Sequence, residues 1–74
     1  MQPYLNLSGD SGVRAFEIGA DFISVQFQGE DLYLYTHESA GRNNVERMKQ
    51  LAIAGKGLST FISQHLSVRN GYVR

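Results

Sequence analysis

From Phe22 to Gln28 the chain alternates, with Ile23, Val25 and Phe27 set against Ser24, Gln26 and Gln28. A period of two is that of a strand with one face in the core and one in water. The neighbouring runs extend this into a sheet. Val13 to Ile18 predicts a preceding strand, set off by the turn Gly19-Ala20-Asp21, and Leu32 to Thr36 predicts a following one. Between the last two, Gln28-Gly29-Glu30-Asp31 reads as a tight turn in which glycine supplies a positive φ. Three strands joined by short turns make an antiparallel meander.

The length of that turn decides which way the tyrosines face. A loop of two or four residues places Leu32 and Leu34 beside Ile23, Val25 and Phe27. Tyr33 and Tyr35 then share the opposite face with Phe22, Ser24 and Gln26. An odd loop reverses the assignment. The even loop is expected, because it gathers five aliphatic or aromatic side chains on one face.

Beyond Thr36 the period changes. His37 to Arg42 reads as a loop that ends at Asn43 or Asn44 as a helix N-cap. From Val45 to Ala54 the period is about 3.6: Val45, Met48, Leu51 and Ala52 share a face, while Glu46, Arg47 and Gln50 lie away from it. Gly55 and Gly57 bracket Lys56 and stop the helix. A second helix is expected from about Leu58 to Ser67, with Leu58, Phe61, Ile62, His65 and Leu66 as its apolar stripe. The fold class is therefore α+β: a three-stranded antiparallel meander with two C-terminal helices packed on one face. Residues 1–12 read as an irregular lead-in, 13–68 as the single domain and 69–74 as a tail.

Composition sharpens this outline. The chain has 74 residues, 42% of them apolar, which suits one modest core and not two. At this size burial and the cost of ordering, about 1.5 kcal/mol per residue, nearly cancel, so self-association into a homo-oligomer is a reasonable expectation. With no Cys there is neither a disulfide framework nor a thiolate metal site. No apolar run approaches the ~20 residues of a membrane span, and the start lacks the basic and apolar regions of a signal peptide. The expectation is a cytoplasmic protein without a membrane partner.

A formal net charge of zero conceals an asymmetry. Residues 1–41 carry Asp10, Glu17, Asp21, Glu30, Asp31 and Glu38 against Arg14, six negative and one positive, or −5. Residues 42–74 carry Arg42, Arg47, Lys49, Lys56, Arg69 and Arg74 against Glu46, or +5. Such a split suits a basic surface for an anionic partner, or association between copies.

Several of these segments, taken in order, resemble the KTSC domain, a small family found at the C-terminus of some lysyl-tRNA synthetases and as stand-alone bacterial proteins. The resemblance runs over about residues 11–66. It rests on Gly19-Ala20-Asp21, the strand Ile23-Ser24-Val25-Gln26-Phe27, Gly29, Tyr33-Leu34-Tyr35, Ala52, Gly55-Lys56 and Ile62. The Val-Pro that usually follows the tyrosines in that family is missing, and Ile53 and Gly57-Leu58-Ser59 replace its Ser and Tyr-Phe-Asn at the helix junction. What the resemblance implies is a non-enzymatic domain associated with RNA or a ribonucleoprotein.

The residues suited to that role are Tyr33 and Tyr35, as a stacking platform for bases, and Arg42, Lys49, Lys56 and Arg69, as contacts to phosphate. Lys49 and Lys56 are seven apart and share a helix stripe if the helix continues that far. Other chemistry finds no support. His37, Glu38 and Ser39 adjoin in sequence, but nothing supplies an oxyanion hole, and His37 and His65 do not make a metal signature. The run Ala54 to Thr60 lacks the order of a phosphate loop. No enzyme activity and no cofactor is expected. The other reading is a protein-interaction or self-association module with no nucleic-acid ligand.

Overall fold

The fold is that of a computed structural model, which describes residues 1–7, 9, 12–27, 31–65, 68 and 70–73. Its class is α+β, with a five-stranded antiparallel sheet and three helices. In chain order these are β1 (Gln2–Pro3), β2 (Val13–Ile18), β3 (Phe22–Phe27), β4 (Leu32–Thr36), α1 (His37–Ala40), α2 (Arg42–Ala54), α3 (Leu58–Gln64) and β5 (Tyr72–Val73). The strands lie side by side in that same order. Two more strands are present than the alternation predicts, because β1 and β5 are two residues long and a period cannot be read from two positions.

The segments read as lead-in and tail thus close the two sheet edges. Gln2 and Pro3 pair with Phe16 and Ala15, and Tyr72 and Val73 pair with Tyr35 and Leu34. Very short edge strands leave little unpaired backbone for another chain to extend.

The β3–β4 register corrects the expected parity. Ile23 pairs with Tyr35 and Val25 with Tyr33, and the Phe27 N–H donates to the Asp31 carbonyl at 2.9 Å. Three residues, 28–30, therefore separate this last pair, an odd number. The tyrosines fall on the face of Ile23 and Val25, under the helices, and Leu32 and Leu34 on the opposite face. The turn expected over residues 28–31 lies mostly outside the described residues.

The core forms between that inner face and the helices. Phe16, Ile23, Val25 and Tyr35 from the sheet meet Val45, Met48 and Ala52 of α2 and Leu58 and Ile62 of α3, all buried, with Phe27, Tyr33, Leu51 and Phe61 packed against them. Helix α2 starts three residues before the expected Val45. Its N-cap is Gly41, without a side-chain bond, and Asn44 donates instead to the Ala40 carbonyl at 2.9 Å. The expected loop at His37 holds α1, capped by reciprocal bonds between Thr36 and Ser39. Helix α3 stops at Gln64, and His65 is extended and exposed, its ring stacked on Phe61 at 4.0 Å. Leu66 and Ser67 lie outside the described residues.

The N-terminal strand leads into a strap across the helix–helix turn. Tyr4 is buried, and its phenol oxygen accepts the Leu58 N–H at 3.3 Å, satisfying a donor that α3 leaves open at its first turn. Leu7 donates to the Gly55 carbonyl at 2.7 Å, and the Leu5 side chain lies over Gly55. A Cβ at Gly55 would come within 2.6 Å of Leu5, and its φ of +79° suits glycine. Gly55 therefore ends α2 and also admits the strap.

Removing the Tyr4 hydroxyl strands a buried N–H. Tyr4→Phe is expected to lower the unfolding free energy by about 1–2 kcal/mol in urea denaturation, with an unchanged denaturant slope.

Candidate functional site

The six residues singled out in the sequence are scattered by the fold. Tyr35 is 1% exposed within the core. Burial, with the phenols of Tyr33 and Tyr72 beside it, pushes its pKa up to about 12. Tyr33 is half-buried, with the Tyr72 ring stacked on it at 4.5 Å and Phe27 tilted against it at 5.2 Å. One ring face of Tyr33 is thus already used, and Tyr35 presents none to solvent.

Lys49 is engaged inside the molecule. It is 9% exposed, and its Nζ donates to Glu46 Oε2 at 2.7 Å and to the Ala20 carbonyl at 3.2 Å. His37 Nε2 lies 2.7 Å from the same Glu46 oxygen, and the His37 backbone N–H donates to the Asp21 carbonyl. Together these contacts fasten α1 and α2 to the β2–β3 turn. Hydrogen bonds from Lys49 and His37 hold the Glu46 carboxyl below its ordinary value of 4.5. The i, i+3 spacing of Glu46 and Lys49 was the sequence signal that this lysine has an internal partner.

Arg42 and Lys56 are exposed but far apart. They flank the 13-residue α2, a length of about 20 Å at 1.5 Å per residue. Because α2 ends at Ala54 and turns at Gly55, Lys56 leaves the stripe that holds Lys49. Arg69 lies outside the described residues. The fold therefore does not bring the described members of this set together.

Metal and buried-polar chemistry offer no second centre. Among the described residues no three His, Cys, Asp or Glu side chains group to hold a metal ion, and no buried side-chain nitrogen or oxygen lacks a hydrogen-bond partner. No described helix is long and apolar enough to cross a membrane.

What the sequence reading missed is the outer face of the sheet. Glu17, Ser24, Leu34 and Val73 form one cross-strand row, and Pro3, Ala15, Gln26 and Leu32 form the next. Glu17 is the one charged residue in the two rows. Leu32 is 48% and Val73 46% exposed, and Leu34 is half-buried. The helices pack on the opposite face. The Phe22 ring, also on the outer side, lies over Gly19, where a Cβ would come within 1.9 Å of it. A large, nearly uncharged apolar surface in water marks an interaction surface more often than an isolated exposed leucine does.

Comparison with protein-family models, curated proteins and solved structures gives no match.

Two titrations follow from these contacts. Because the Glu46 carboxyl is depressed in the fold, its contribution is present above the unfolded pKa and lost as pH falls through the folded one. The stability difference between the native chain and Glu46→Gln is expected to hold steady above about pH 5 and shrink below 4.5, as read by denaturation at each pH. Tyr35 has the opposite sign. Its raised pKa leaves its contribution intact below 10 and removes it as pH climbs toward about 12. Phenolate absorbance should show it ionising after the exposed tyrosines, and Tyr35→Phe should abolish that late step.

Proposed function

We propose that this chain is a small non-enzymatic interaction module that engages a protein surface through the outer face of its sheet. The observation that carries this reading is the exposed apolar group Leu32, Leu34 and Val73 in two cross-strand rows with a single charge. Water around such side chains is released on contact, at about 25 cal/mol per Å² of apolar surface. Membership of the KTSC family remains part of the proposal, supported by the ordered motifs from Gly19 to Ile62.

RNA as the ligand is the less favoured version. It needs a continuous basic track, and Lys49 is neutralised by Glu46 while Arg42 and Lys56 stand at opposite ends of α2.

Two measurements separate the versions. A photo-crosslinking residue placed at Leu34 should join the chain to polypeptide in cells, whereas the same residue at exposed Arg47 should not. In a fluorescence anisotropy titration, short RNA oligomers should show no salt-dependent binding. RNA binding that weakens with salt and is lost in Arg42→Ala or Lys56→Ala would replace the protein reading with the nucleic-acid one.

A further inference from the structure

The apolar side chains of the outer face lie on one half of it. Leu32 and Leu34 stand on β4 and Val73 on β5, whereas in the row of Leu34, β3 contributes Ser24 and β2 contributes Glu17. Ser24 has the smallest side chain of its row and so leaves a dent between Glu17 and Leu34. Resting on the interaction reading above, we infer that the occupant of this face is a second copy of the chain, packed sheet to sheet about a twofold axis that runs along β4.

The placement of large, small and charged groups selects that axis. A twofold along β4 sets Leu34 against Leu34 and brings β5 of each copy over β3 of the other. Val73 then fills the dent at Ser24, and Glu17 on β2 overhangs the contact into solvent. An axis between β3 and β4 would instead bury the Glu17 carboxylate on Val73. An axis along the row would oppose the two Glu17 carboxylates. Both cost several kcal/mol in desolvation or repulsion. A patch that meets itself, large on small, is what an isologous contact requires. Facing sheets pack about 10 Å apart with strands about 30° from parallel, a gap that leucine and valine fill from both sides.

Charge and size also favour a copy over a different polypeptide. The chain has no net charge to repel its twin, and the two rows offer one charge by which to recognise an unlike partner. The rows hold four residues each, against about 20–30 per side in a standard interface. The dimer is therefore weak, with a Kd on the order of 10⁻⁵–10⁻⁴ M.

Sedimentation equilibrium from about 10 µM to about 1 mM spans that Kd. The weight-average mass of the native chain should climb from 8.3 kDa toward twice that value. Leu34→Lys and Val73→Lys should weaken association about tenfold or more. Glu17→Lys should dimerise as the native chain does. Amide NMR spectra establish that each variant is folded, and Val73→Lys, on an exposed edge strand, serves if Leu34→Lys disturbs β4. A native chain that stays at monomer mass overturns the inference. In that event, crosslinks from position 34 to another polypeptide keep the face as an interaction surface, and their absence removes that reading too. A dimer that survives both Leu34→Lys and Val73→Lys, or one lost in Glu17→Lys, also overturns the inference.

Discussion

The pairing of Phe27 with Asp31 sets the register on which the rest of the structure depends. One backbone bond of 2.9 Å makes the β3–β4 connection odd, and parity then assigns every side chain of β4 to a face. Tyr33 and Tyr35 go inward, where Tyr35 completes the core with Ile23, Val25 and Met48. Leu32 and Leu34 go outward, where no helix of this chain covers them. A slip of one residue would trade a sealed phenol for a sealed leucine and leave a tyrosine-lined outer face. The two arrangements are close in apolar content, so hydrophobicity alone does not choose between them.

That near-balance explains what could be read from the chain and what could not. The long strands were legible because Ile23, Val25 and Phe27 alternate without interruption. Helix α2 was legible because Val45, Met48 and Ala52 recur at helical spacing. Loop parity was not, since Gly29 serves loops of either length. The edge strands were hidden because β1 and β5 have two residues each and owe their conformation to the strands they pair with. The site was less legible still. Lys49 looks like any surface lysine until α1 and the β2–β3 turn are folded beside it, and only then do Glu46 and the Ala20 carbonyl enclose it.

The His37–Glu46–Lys49 group and the Tyr4 strap perform related work at opposite ends of α2. One ties the start of the helical layer to the β2–β3 turn, and the other ties the α2–α3 turn to the N-terminal segment. Each uses polar bonds to fix the position of helices whose apolar contacts alone would allow sliding. This division suits a domain of 74 residues, in which the core is small and each fastening carries a larger share of the order. It also leaves the outer sheet face free of structural duty, so that its side chains can be committed to association.

The bond from Leu58 to Tyr4 spans 54 positions, and Val73 sits beside Leu34 across 39. Contacts so distant along the chain cannot form early during synthesis. While the ribosome is still translating the helices, β4 has one bare margin and Tyr4 has no helix start to receive. The nascent domain is therefore open to strand exchange with neighbouring nascent chains until its last residues emerge, and its closure is a late, all-at-once event.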